Sequence, residues 1–150
     1  MDQTNEISVT SHVARDLLSS SAMFKTVPSA IWEYVVNSLQ YVQPGVAARV
    51  NVRVESSSGK ISISDNGVGM NSQDLQRFFQ MHGQNLERLR GRAGRGKFGT
   101  GKSAAFGIGR TLDVDTVRSG VRNKVKLELS DIESSGGEHI PVEWVTQDQK

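Results

Sequence analysis

Cysteine is absent from this sequence, and no charge of one sign dominates it, because the formal net charge is only +2. Without cysteine, the chain can form neither a disulfide scaffold nor a thiolate metal site. No segment approaches the roughly 20 apolar residues of a membrane span, and the N-terminal stretch MDQTNEISVT lacks the apolar run of a signal peptide. These absences predict a protein of a reducing compartment with no membrane partner. The expected location is the cytoplasm, or the nucleus if the source is eukaryotic.

The composition and the hydrophobic periodicity predict one α+β domain over residues 1–150. Apolar residues make up 36% of the chain and charged residues 23%, which is typical of a soluble globular domain. A helix is predicted in TVPSAIWEYVVNSLQYVQPG, where Pro28 suits the first turn and Pro44-Gly45 ends it. Its sheet-facing residues are predicted to be Ile31, Tyr34, Val35, Ser38 and Val42.

Alternating apolar residues predict five strands after this helix. Val50, Val52 and Val54, the turn SSSG, and Ile61 and Ile63 predict a hairpin. After the hairpin, a helix is predicted in SQDLQRFFQM, with Leu75, Phe78 and Phe79 inward. Another helix is predicted to begin at about Thr100. Later strands are predicted around Leu112 and Val114, around Val125, Leu127 and Leu129, and around Ile140, Val142 and Trp144. Helices separated by hairpins favour a mostly antiparallel sheet.

The stretch GKFGTGKS, residues 96–103, fits the phosphate-loop pattern G-x-x-x-x-G-K-[ST]. A phosphate loop follows a buried strand, yet NLERLRGRAGR precedes this stretch and contains no β-branched residue. A P-loop NTPase therefore stays an alternative. Glycines at a helix N-terminus also bind phosphate without that strand, because their backbone amides can approach its oxygens.

The stretch SDNGVGM, residues 64–70, places a carboxylate at the end of a strand. Asp65 shares the parity of Ile61 and Ile63, so it is predicted to point toward their buried face. A buried carboxylate needs a hydrogen-bond donor, and an adenine amino group would supply one. Gly67 and Gly69 would let the backbone lie against a flat ring. An ordinary Asp-Asn-Gly turn between strands explains the same residues.

Glu33 and Asn37 lie one turn apart on the predicted helix and therefore share a face, which Gln40 continues. A carboxylate and an amide oxygen at this spacing suit a general base and a magnesium ligand. The solvated face of an amphipathic helix is the alternative explanation.

These three motifs, in this order, resemble the GHKL superfamily of ATPases, which has the Bergerat fold, from about residue 10 to about residue 130. Glu33 and Asn37 match its helix motif, Asp65, Gly67 and Gly69 match Asp-x-Gly-x-Gly, and Gly96, Phe98, Gly99 and Gly101 match the glycine-rich end of the lid. The resemblance implies a two-layer α+β sandwich with a mixed, mostly antiparallel sheet and helices on one face. It also implies an N-terminal strap over residues 1–25 and an ATP lid over about residues 71–98.

The resemblance implies ATP and Mg²⁺ as cofactors and hydrolysis of ATP to ADP and phosphate. Glu33 would activate water, Asn37 would bind magnesium, and Asp65 would accept from adenine. The remaining nucleotide-binding residues would be Gly67, Gly69, Met70, Gly96, Phe98, Gly99, Thr100, Gly101, Lys102 and Ser103. Lid closure and an ATP-dependent homodimer are expected, with nucleic acid or a client protein bound through further domains.

The heat-shock chaperone, MutL and microrchidia-type branch is the most similar, with two departures. Gln40 stands where that branch has Asp, which puts one nucleotide contact in doubt. The family's later Gly-Thr pair and its downstream Lys or Arg are not found, so we expect an N-terminal piece of a larger protein with slow or absent turnover. A histidine kinase is the other alternative, since SHVARDLL resembles a phosphoacceptor box, but only about twenty residues separate His12 from Glu33.

Overall fold

The computed structural model describes residues 6–7, 26–79, 105, 108–134 and 142–150. Within these residues the chain forms six strands and three helices, and none of these helices could cross a membrane. In chain order the elements are β1 (Glu6–Ile7), α1 (Val27–Gln40), β2 (Val50–Glu55), β3 (Lys60–Asp65), α2 (Ser72–Phe79), β4 (Thr111–Arg118), β5 (Val121–Glu128), α3 (Leu129–Ser134) and β6 (Val142–Gln149).

Helix α1 begins where the sequence predicts, but it ends at Gln40, before the predicted stop at Pro44-Gly45. Thr26 is its N-cap and accepts a hydrogen bond from the Ser29 amide, and Pro28 lies in the first turn, where a missing N–H is tolerated. The predicted inward face is only partly right. Ala30 and Ser38 are the buried residues, and Tyr34 and Ile108 pack against Ala30. Val42 lies beyond the end of the helix, so helical periodicity does not fix its direction.

The larger sheet has the strand order β1-β6-β5-β4, and every pairing in it is antiparallel. Successive side chains of a strand point to opposite faces, so one face carries Val125, Leu127 and Trp144. Helix α2 packs on this face through Leu75 and Phe79. The described residues thus confirm the predicted α+β class with antiparallel strands and the inward residues of α2. Because α2 belongs to the core, the first part of the range predicted as the ATP lid is a packed helix.

The opposite face of this sheet carries ion pairs, one between β5 and β4 and one along β5. Arg122 makes two hydrogen bonds to the Asp115 carboxylate, of 2.9 and 2.6 Å, and Lys126 lies 2.6 Å from Glu128. These groups are substantially exposed, so each pair stabilises the fold only modestly. The charges leave only one face of the sheet available for a core.

Strands β2 and β3 form a separate antiparallel hairpin, with the predicted turn at residues 56–59. Val52 pairs with Ile63 and Val54 pairs with Ile61, as the alternation predicts. This apolar face is not buried as expected, because Ile61 and Ile63 are half-buried and Val54 is 57% exposed. Helix α1 contacts both strands but does not cover the whole face.

The end of β5 differs from the sequence prediction. Leu129 was predicted to continue the strand, but β5 ends at Glu128 and Leu129 begins the short helix α3. The Leu129 amide donates to the Arg110 carbonyl, 2.8 Å away. A hydrophobic residue at the next position of an alternating run gives no local signal that the backbone turns there. Ile140 and most of the helix predicted from Thr100 lie outside the described residues, although Ala105 and Ile108 are helical.

Candidate functional site

The loop after β3 begins with a side-chain turn at Asp65. The Gly67 amide donates to Asp65 Oδ1 at 2.9 Å, which is the geometry of the turn that the sequence left as an alternative. The predicted burial of Asp65 is wrong, because the residue is exposed at the open end of the hairpin. Its parity with Ile61 and Ile63 is correct, but their face is only half-covered. The carboxylate is therefore oriented by the backbone and accessible to a ligand.

Asn66 fastens this loop to the segment ahead of β2. Its Oδ1 accepts from the Arg49 amide at 2.8 Å, and its Nδ2 donates to the Ala47 carbonyl at 3.0 Å. No sequence motif points to Asn66, although an asparagine in a turn often bonds nearby backbone. These bonds fix where the strand ends and hence where Asp65 stands.

The middle of the loop is attached to the C-terminal end of α1. The Val68 amide donates to the Tyr41 carbonyl at 2.9 Å. A Cβ placed on Gly67 would lie 2.9 Å from Asp65 Oδ1 and 3.1 Å from the same Tyr41 carbonyl oxygen. A side chain at position 67 would therefore displace the Asp65 carboxylate or the end of the helix.

The last part of the loop is attached to the larger sheet. The Met70 amide donates to Thr116 Oγ1 at 2.8 Å, and Thr116 is buried on β4. Gly69 has a φ of +70°, and a Cβ there would collide with the Val117 carbonyl oxygen. The glycine is therefore required by its approach to β4. The sequence does not predict this role of Thr116, because one threonine within alternating Asp and Val residues gives no signal of the contact.

Asn37 lies on α1 between two attachment points of that helix, and Glu33 directly precedes the first of them. Both are half-buried. At one attachment point the Tyr34 hydroxyl accepts from the Ala105 amide at 3.3 Å, and at the other Tyr41 binds the loop. These tyrosines are separated by about 10 Å along the axis at 1.5 Å per residue. Along the helix axis, Asn37 thus lies between the residue that contacts Ala105 and the residue that contacts the loop carrying Asp65.

Gln40 is half-buried near the end of α1 and lacks a complete set of hydrogen bonds. Its Nε2 atom is shielded from solvent and has no hydrogen-bond partner among the described residues. A buried donor without a partner costs about 1–3 kcal/mol of stability. This amide occupies the position where the resemblance leads one to expect a carboxylate.

Comparison with known families agrees with this arrangement of motifs. Residues 25–149 match the family described as histidine kinase-, DNA gyrase B- and HSP90-like ATPases. The chain belongs to this ATPase family. The match confirms the resemblance to the GHKL superfamily and supports ATP binding and hydrolysis in general. Among curated individual proteins, no significant match is found. The branch of the family stays a prediction.

The glycine-rich motif of this ATPase lies outside the described residues. This applies to the predicted phosphate-binding residues Gly96, Phe98, Gly99, Thr100, Gly101, Lys102 and Ser103, and also to His12. Their predicted roles remain predictions. The described residue nearest to the motif on its C-terminal side is Ala105, which contacts Tyr34 of α1.

The described residues contain no cluster of three or more His, Cys, Asp or Glu side chains that could hold a metal ion by themselves. Magnesium bound with a nucleotide needs few protein ligands, because phosphate oxygens and water complete its octahedron. The Asn37 amide oxygen is a hard ligand of the type that magnesium accepts. The donor set on α1 therefore fits a Mg²⁺–nucleotide complex better than a metal bound by protein alone.

Proposed function

We propose that the chain binds Mg·ATP between α1 and the loop Asp65–Met70, and hydrolyses it to ADP and phosphate. The observation that carries this proposal is the double attachment of the loop. Val68 binds the Tyr41 carbonyl at the end of α1, and Met70 binds Thr116 on the larger sheet. The exposed Asp65 carboxylate is thereby kept close to the helix that carries Glu33 and Asn37.

Asp65 is proposed to accept a hydrogen bond from the adenine amino group. Oδ1 already accepts from the Gly67 amide, which orients the carboxylate. An ionised carboxylate has about four acceptor positions, so this bond does not exhaust it. Gly67 and Met70 would border the base, and Gly69 would act by letting the loop approach β4. The exposure of Asp65 supports this role, since the acceptor is within reach of a ligand.

Asn37 is proposed to bind magnesium through its side-chain oxygen. The ion, once bound, would offset the negative charge of the phosphate oxygens. Gly96, Phe98, Gly99, Thr100 and Gly101 are proposed to surround the phosphates with backbone amides, and Lys102 and Ser103 to add contacts. Membership of the ATPase family supports this interpretation of the glycines over a phosphate loop.

Glu33 is proposed to act as the general base. It would accept a proton from the water whose oxygen attacks the γ-phosphorus, while the bond from that phosphorus to the β–γ bridging oxygen breaks and ADP leaves. Its position one turn before Asn37 supports the assignment, because both side chains share a face of α1. Hydrolysis is further proposed to control lid closure and ATP-dependent homodimerisation, with nucleic acid or a client protein bound elsewhere in a larger protein.

The test compares Glu33→Ala with Asn37→Ala. Glu33→Ala should bind a non-hydrolysable ATP analogue normally and hydrolyse ATP roughly 10²–10⁴-fold more slowly, the usual contribution of a general base. Asn37→Ala should lose the part of the affinity that depends on Mg²⁺. Calorimetry with and without Mg²⁺ measures binding, and single-turnover phosphate release keeps slow hydrolysis measurable.

Two variants outside the site are matched controls. Glu133→Ala removes an exposed glutamate of α3, and Asn51→Ala removes an exposed asparagine of β2. Neither should alter binding or hydrolysis. Hydrolysis at the wild-type rate in Glu33→Ala would show that Glu33 is a surface glutamate and would refute the mechanism.

A further inference from the structure

One hydrogen bond joins two parts of the chain that are 71 residues apart in sequence. The Ala105 amide donates to the Tyr34 hydroxyl at 3.3 Å. Tyr34 and Ile108 both pack against the buried Ala30 of α1. The Gly109 amide donates to the Ala105 carbonyl at 2.7 Å, and Ala105 and Ile108 are both helical. Ala105 and Ile108 are therefore both held against α1, the first by the Tyr34 hydroxyl and the second by packing on Ala30.

The environment of Tyr34 requires a partner for its hydroxyl. A buried hydroxyl without one is destabilising, and a phenylalanine would fill the same apolar space without this requirement. Burial raises the pKa of Tyr34 to about 12, although the Ala105 amide opposes this shift. The hydroxyl is therefore neutral at physiological pH and stays able to accept from Ala105.

Chain connectivity relates this contact to the glycine-rich motif. Ala105 follows Gly101 by four residues, and four residues span at most about 14 Å even when fully extended. On the other side of the contact, Glu33 directly precedes Tyr34, and Asn37 follows it by one turn. The bond thus limits how far the end of the motif can lie from these two side chains.

We propose that Tyr34 is a positioning residue, whose hydroxyl fixes the segment after the glycine-rich motif against the helix that carries Glu33 and Asn37. This inference rests on the proposed function. It assigns Tyr34 no contact with the nucleotide. Because the motif is the proposed phosphate site, Tyr34 should affect binding of the phosphates. It should not affect binding of the adenine, which is proposed to contact Asp65.

The test removes only the hydroxyl, in Tyr34→Phe, and compares two ligands. A non-hydrolysable ATP analogue with Mg²⁺ probes the phosphates, and AMP probes the adenine end. Losing one hydrogen bond should lower the affinity for the analogue about three- to tenfold relative to the wild type. The affinity for AMP should stay within about twofold of the wild-type value. Thr111→Val is the control, since it removes a hydroxyl that donates to Glu128 on the outer face of the sheet, and it should change neither affinity.

An equal loss of affinity for both ligands, together with a lower melting temperature, would show that Tyr34 has a merely structural role and would overturn the inference. Unchanged affinity for both ligands in Tyr34→Phe would also overturn it. If the wild-type chain does not bind the ATP analogue at all, the proposed function itself fails. Binding by the wild type together with an unaffected variant rejects only the role of Tyr34.

Hydrogen exchange on the wild-type chain tests the contact without any substitution. The Ala105 amide should exchange slowly both without nucleotide and with the analogue, because Tyr34 accepts from it before the ligand arrives. Exchange of Ala105 at the rate of an unprotected peptide, with Gly109 protected, would overturn the inference even if the variant does not fold.

Discussion

The substitution Gly69→Ala tests whether this glycine serves the fold or the nucleotide. Gly69 has a φ of +70°, in the left-handed region that alanine adopts at a cost of about 1–2 kcal/mol. The added Cβ would also collide with the Val117 carbonyl oxygen and lie 2.7 Å from its carbon. Val117 is paired with Arg122 within β4 and β5, so this backbone cannot move without disturbing the sheet.

The expected loss combines the two effects. Overpacking against backbone adds about 1–3 kcal/mol, so Gly69→Ala should lower the free energy of unfolding by roughly 2–5 kcal/mol in total. Gly59→Ala is the matched control, because Gly59 has a φ of +61° and nothing within 4 Å of an added Cβ. It should lose only the conformational part, about 1–2 kcal/mol.

Urea denaturation of both variants, followed by circular dichroism, measures the difference. The reasoning is refuted if Gly69→Ala is no less stable than Gly59→Ala. If Gly69→Ala is fully stable but binds ATP poorly, the glycine serves the adenine contact that the sequence suggests and not the approach to β4.

Three further predictions concern Gln40, Asp115 and Lys102. Without nucleotide, Gln40→Leu should raise the free energy of unfolding by about 1 kcal/mol, because it removes a buried amide nitrogen that lacks a partner. Urea denaturation measures this change, and a loss of stability would mean that the amide is bonded. The hydrogen bonds from Arg122 hold the pKa of Asp115 below its ordinary value of 3.8, so this pair contributes stability above that pH and loses it as pH falls through the lowered pKa. Asp115→Asn should accordingly be less stable than the wild type at pH 7, and the difference should shrink in denaturation curves recorded below pH 3.8. Lys102→Ala should retain most of its calorimetric ATP affinity, since Asp65 and Asn37 are the proposed anchors, whereas near-complete loss would indicate a phosphate loop.

Local patterns in the sequence were sufficient for most of the secondary structure. Thr26 and Pro28 mark the start of α1 because capping and proline act on neighbouring backbone, whereas the helix ends at Gln40, four residues before Pro44. Alternation predicted the β2–β3 hairpin and the strands β4 and β6, and the apolar spacing of α2 predicted the burial of Leu75 and Phe79. The order of the three motifs was enough to recognise the ATPase family that the comparison confirmed.

Only the tertiary structure decided which surfaces are covered and which distant groups meet. Parity placed Asp65 beside Ile63, but its exposure depends on how far α1 extends over the hairpin, which no local pattern encodes. The bond from Met70 to Thr116 spans 46 residues and that from Ala105 to Tyr34 spans 71. Such contacts arise when packed elements bring their backbones together, so they depend on the relative placement of whole helices and sheets, while periodicity describes one element at a time.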